Sequence, residues 1–136
     1  MKSVKEVSLI TGITEQNIRY YERKGLLAPE RNKKNSYREY SDEDVDRLKM
    51  ILLFRKLDMP LADIKRLLEG SVTLDEAITA QISRLESEKE KLDAALEFCG
   101  TIQESQLAEL DVDSCLERIR KKEREGSVFA KIAEDY

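Results

Sequence analysis

At 136 residues, 40% apolar and 38% charged, with no Trp and few aromatics, the chain fits one compact domain with an extended appendage. That balance suits amphipathic helices better than an all-β core. The formal net charge of −4 hides an asymmetry, since residues 1–40 carry nine Lys/Arg against five Asp/Glu and residues 71–136 carry nine against sixteen, which points to a polyanion-binding head and an acidic tail with another task.

Ser3 and Glu6 form a capping-box pattern that opens a helix carrying Val4, Val7 and Ile10, and Gly12 stops it. Thr14 caps a second helix that turns Ile18 and Tyr21 inward and ends at Gly25. Two short helices joined by a tight glycine turn predict a helix-turn-helix. From Leu27 to Tyr40, a polar turn at Asn32–Asn35 and the alternation Ser36-Tyr37-Arg38-Glu39-Tyr40 predict a β-ribbon wing. Tyr40 is expected to pack that wing onto the next helix.

Ser41 and Asp44 cap a third helix with a stripe of Val45, Leu48, Ile51, Leu52 and Leu57. Asp58-Met59-Pro60 breaks it, and Pro60 suits the first turn of a fourth helix containing Ile64, Leu67 and Leu68 and closed by Gly70. Thr73 and Glu76 cap the longest periodic run, in which Ile78, Ile82, Leu85, Leu92, Leu96 and Cys99 form a stripe at coiled-coil spacing. A helix of ~35 residues would run ~50 Å and cannot bury this stripe against itself. A homodimer is expected. Gln81 and Glu88 interrupt the stripe, which argues for an antiparallel coiled coil over a long parallel one. Beyond Gly100, Asp113, Ser114 and Glu117 offer caps for a short helix, and Val128, Phe129 and Ile132 make a last apolar patch.

The fold expected is therefore mainly α. It comprises a winged helix-turn-helix over 1–71, a dimerisation helix over 72–109, and a short C-terminal effector or capping region over 110–136. No signal peptide or membrane span is apparent, so a cytoplasmic location without a membrane partner is expected.

Thr14, Gln16, Asn17, Arg19 and Tyr20 occupy the first turns of the second helix, the part that meets base edges when such a helix lies in the major groove. Asn and Gln pair with adenine, and Arg pairs with guanine or phosphate. Together with Tyr37 and Arg38, these residues mix aromatic and basic character as duplex binding requires. Lys33 and Lys34 at the wing tip suit phosphate contacts, and equally an ordinary solvated turn.

The runs Asn17-Ile18-Arg19-Tyr20-Tyr21-Glu22-Arg23-Lys24-Gly25-Leu26-Leu27, Tyr37-Arg38-Glu39-Tyr40-Ser41 and Ile51-Leu52-Leu53-Phe54-Arg55-Lys56-Leu57 together resemble the MerR family of regulators over about residues 2–70. The resemblance implies DNA contacts at Arg19, Tyr20, Tyr37 and Arg38. It also implies a dimer that distorts double-stranded promoter DNA with an overlong spacer so that RNA polymerase can engage it. Ser36 stands where the wing commonly carries Gly.

The effector stays open. Cys99 and Cys115 could hold a soft metal ion or form a thiol switch, but their wide spacing and the lack of histidine read more simply as packing. No metal site or cofactor is therefore expected. A small organic ligand lined by Phe129 and Tyr136 remains open, as does a plain cap on the coiled coil. Catalysis is not expected, since no Gly-rich phosphate loop or nucleophile–base pair occurs. The competing class is a coiled-coil interaction module without specific DNA binding, which would show no preference for duplex.

Overall fold

A computed structural model describes residues 1–35 and 37–132. The chain divides into two compact units, Met1–Ile78 and Thr79–Tyr136. The first contains α1 (Val4–Thr11), α2 (Glu15–Arg23), α3 (Asp42–Lys56) and α4 (Leu61–Leu68), together with a two-stranded antiparallel ribbon, β1 (Glu30–Arg31) and β2 (Arg38–Glu39).

The helix starts follow from local chemistry. Ser3 and Glu6 make a reciprocal capping box, as do Ser41 and Asp44. The Thr14 hydroxyl accepts from the Asn17 amide at 3.1 Å. Each cap satisfies a backbone donor that the first helical turn leaves without a partner. Gly12 ends α1 in the left-handed conformation at φ 77°, which costs glycine little. Asp58 adopts φ 63° between α3 and α4, a conformation Asp tolerates better than most residues. Pro60 sits one residue before α4, at its cap, and not inside its first turn.

One apolar core closes the unit: Val7, Ile13, Ile18, Tyr21, Leu26, Leu27, Tyr40, Val45, Leu48, Ile51, Phe54, Met59 and Ile64. Ile10, expected on the inner face of α1, is 49% exposed, and Thr11 is buried in its stead. The Thr11 hydroxyl donates to the Val7 carbonyl at 2.8 Å and accepts from the Ile13 amide at 3.2 Å. A polar side chain thus stays inside because both its roles are met. Leu57 is also largely exposed, although it continues the stripe of α3.

Most of α5 (Leu74–Thr101) belongs to the second unit, as does α6 (Val112–Arg124). At 28 residues α5 is shorter than the expected ~35, because the chain leaves the helix just after Gly100. The Thr73–Glu76 box opens it as predicted. Ile78 is half-buried and packs on the core of the first unit. Gln81 is buried, and its Oε1 accepts from Arg84 at 3.2 Å. Ile82, Leu85, Leu92 and Leu96 are 41–72% exposed, and Cys99 is exposed.

Asp111 caps α6 through the Ser114 amide, two residues earlier than the first of the expected caps. Phe98, buried at 7% exposure, receives Phe129 edge-on at 6.2 Å between ring centres, and the Arg118 guanidinium sits 4.6 Å over its ring. Among the described residues no helix is long and apolar enough to cross a membrane.

Candidate nucleic-acid interface

The recognition helix α2 buries Ile18 and Tyr21 and holds Tyr20 and Glu22 half-buried. Gln16, Asn17 and Arg19 are exposed on it. Arg19 lies 4.0 Å from Glu15 one turn earlier, a surface pair with little hold. Thr14 stands at the start of the helix with its hydroxyl oxygen committed to the cap, so it orders the first turn before it does anything else.

The wing rises beside α2. Glu30 pairs with Glu39 and Arg31 with Arg38 across the ribbon, while the Asn32 amide donates to the Tyr37 carbonyl at 2.7 Å. At the tip, the Asn32 side-chain oxygen accepts from the Lys34 amide at 2.8 Å, and its amide group donates to Glu39 at 2.6 Å. Lys33 and Lys34 are exposed on this turn. Ser36 lies outside the described residues, as does Tyr136.

Recognition helix and wing meet in a cleft of about 440 Å³ whose lining includes Arg19, Arg31, Tyr37 and Arg38, together with Lys5 and Asn35. The cleft joins three of the predicted contacts. Tyr20 is placed elsewhere: half-buried against the core, it lines a separate cleft with Lys24 and Lys65. Its ring lies 5.9 Å from the Arg23 guanidinium and 5.6 Å from the Lys24 ammonium. These cation–π contacts hold cations at the end of α2 and use the face of the ring.

Two residues of this region escape sequence reading. Arg31 belongs to the cleft because a hairpin turning over 32–37 sets 31 opposite 38, a signal the wing's turn length carries. Glu22, on the face of α2 toward the wing, binds Arg38 across sixteen residues of sequence. Arg38 Nε donates to Oε1 at 2.7 Å and lies 2.6 Å from Oε2. That bond raises the Arg38 guanidinium above its already high ordinary pKa. No local pattern announces such a pair.

Tyr40 fills the joint below. It is fully buried, its backbone pairs with Lys2 in both directions, and its hydroxyl has no hydrogen-bond partner among the described residues. Burial, with the Glu22 charge in support, raises its phenol above the ordinary value of 10.0. An unpaired buried hydroxyl costs about 1–3 kcal/mol. Tyr40→Phe should accordingly stabilise the chain by about 1 kcal/mol in urea unfolding at neutral pH.

Its alkaline behaviour has a definite sign. The native state holds the Tyr40 proton more tightly than the unfolded chain does, so this group stabilises below the unfolded pKa and its contribution falls as pH rises past about 10. The Phe variant should lose that part of the alkaline fall. A steeper fall in the variant would contradict the buried placement.

Helix-turn-helix, third helix and a two-stranded wing together define a winged helix-turn-helix unit with its cations gathered at the helix–wing joint. The MerR HTH family of regulatory proteins matches residues 2–71, and the chain belongs to that family. The HTH-type transcriptional activator TipA of Streptomyces coelicolor is 31% identical over 103 residues, 70% of this chain and 41% of TipA. SkgA, an HTH-type transcriptional regulator of Caulobacter vibrioides, is 34% identical over 90 residues, 65% of this chain and 35% of SkgA. The chain thus spans about two-fifths of these relatives or less. The structure of MtaN, the N-terminal part of a Bacillus subtilis multidrug transporter activator, aligns with TM-score 0.67 and 29% identity over 74% of this chain and 95% of MtaN.

Proposed function

We propose that the chain is a sequence-specific transcription regulator that binds a pseudo-palindromic promoter operator as a homodimer. The observation that carries this reading is the convergence of Arg19, Tyr37 and Arg38 on the cleft between recognition helix and wing. Family membership supports it, and so does the likeness to the transcriptional activator TipA and the transcriptional regulator SkgA. In this reading Gln16 and Asn17 meet base edges, Arg19 meets a base or a phosphate, and Tyr37, Arg38, Lys33 and Lys34 hold the backbone. Residues 1–71 are the reading head and 72–109 the dimerisation helix.

The exposed stripe of Ile82, Leu85, Leu92 and Leu96 supports a second copy of the chain as its cover. Two heads fixed by a two-fold axis impose a dyad on the operator. Phosphate contacts on both half-sites would supply the energy to bend and untwist the promoter for RNA polymerase.

For the effector, the second unit offers a small cleft of about 280 Å³ lined by Phe98 and Thr101 of α5 and by Arg118, Lys121, Lys122 and Glu125 at α6. Its aromatic floor and three cations suit a small organic anion better than a metal. Among the described residues no group of three or more His, Cys, Asp and Glu side chains is placed to hold a metal ion.

The test is an equilibrium titration of the full chain against a dyad-bearing promoter duplex and a scrambled duplex in rising salt. Binding should favour the dyad and weaken along a linear log–log slope of about −0.9 per phosphate neutralised. Equal, feeble binding to both duplexes would favour a protein-interaction module and sink the proposal.

A further inference from the structure

Arg31 and Arg38 stand directly opposite each other on the wing, and both line the cleft with Arg19 and Tyr37. Like charges set directly opposite on a sheet repel, so an arrangement of this kind calls for counter-charge. Glu22 supplies part of it to Arg38. Its side chain is only 18% exposed, and Oε2 accepts no hydrogen bond among the described residues. The guanidinium of Arg38 is thus the principal group answering the Glu22 charge.

The contact is made on one edge of the guanidinium. An arginine carries five N–H donors in a rigid plane, and Glu22 takes the Nε donor. The two terminal nitrogens remain as a parallel pair, which is the edge suited to a phosphate's two free oxygens. A side chain clamped at Nε also loses less rotamer freedom when it binds.

We propose that Glu22 is a positioning residue: it clamps Arg38 so that the terminal nitrogens of Arg38, with Arg31 and Arg19, form a binding site for one backbone phosphate of the duplex. This rests on the DNA-binding reading given above and adds Glu22 and Arg31 to it. A cleft of about 440 Å³ has room for a phosphodiester.

The proposal reverses the sign that charge alone would give. Removing a carboxylate from a DNA-facing surface strengthens binding to any duplex by reducing repulsion. If Glu22 positions Arg38, Glu22→Gln should weaken binding to the promoter duplex instead, by about three- to tenfold. It should also shrink the salt slope toward that of Arg38→Gln, about 0.9 for each phosphate site lost. The double variant should bind no worse than the weaker single variant, because both changes disable one device. Glu22→Asp should recover part of the loss. Arg31→Gln removes an exposed side chain without disturbing the core, and should reduce the slope in the same way.

These variants, titrated as full chains with the promoter duplex at several salt concentrations, separate the possible failures. Glu22→Gln binding as tightly as wild type or tighter, while Arg38→Gln loses affinity and slope, overturns the positioning role and leaves the DNA-binding reading standing. An unchanged slope in Arg31→Gln overturns the shared phosphate site. Wild-type behaviour in both Arg38→Gln and Arg31→Gln removes the two wing arginines from the DNA contacts, and the proposal goes with it.

Discussion

Replacing Leu92 and Leu96 together with Glu should leave the reading head folded and abolish high-affinity operator binding. Both leucines project from α5 in the second unit, 63% and 72% exposed in the single chain, so the substitutions remove little packing within it. In a dimer they would be covered. Each change then forfeits about 1.5–3 kcal/mol of apolar burial and places a carboxylate in a low-dielectric seam, where an unpaired charge costs more still. Joining two weak heads multiplies affinity by about 10²–10⁴ through effective concentration, so loss of the dimer should weaken operator binding by at least about a hundredfold. Sedimentation of the variant should report single chains, while circular dichroism retains the helical signal. A variant that still pairs and still binds would mean that another surface joins the copies.

That stripe was legible because heptad spacing is a property of near neighbours, and the same holds for the head. The Ser3–Glu6, Ser41–Asp44 and Thr73–Glu76 boxes are three-residue patterns whose hydrogen bonds form within one turn, and all three are present. Gly12 likewise stops α1 by its own backbone freedom. What escaped depends on tertiary placement. Periodicity put Ile10 inward, but the core takes Thr11 because its hydroxyl finds both a donor and an acceptor nearby. Gln81 counted as a polar gap, yet it is buried with Arg84 as a donor to it.

The candidate site shows the same division. That helix and wing share one surface followed from the motifs, and their joint gathers Arg19, Tyr37 and Arg38. Tyr20 is adjacent to Arg19 in sequence, but successive residues on a helix point about 100° apart, so it lies against the core beside Lys24. Glu22 is one more acidic residue in a charged run until the ribbon folds and brings Arg38 to it. A contact across sixteen residues leaves no periodic trace.

Arg19→Ala should produce the largest loss of any single exposed substitution in the head. Arg19 lines the cleft from α2, its side chain is 48% exposed, and it forms a long 4.0 Å ion pair with Glu15. Loss of so exposed a side chain alters stability by no more than about 0.5 kcal/mol, so folding and binding should separate cleanly. A specific base contact carries about 1–3 kcal/mol, and a two-fold dimer holds it twice. The expected cost is then about 2–6 kcal/mol, or from roughly thirtyfold to more than 10⁴-fold in operator affinity. The pattern of loss assigns the role. A base contact weakens the operator alone and leaves scrambled duplex almost unchanged, whereas a phosphate contact weakens both and shortens the salt slope by about 1.8 for the pair. Operator affinity equal to wild type, in a variant with an unchanged unfolding midpoint, would take the recognition helix out of the interface.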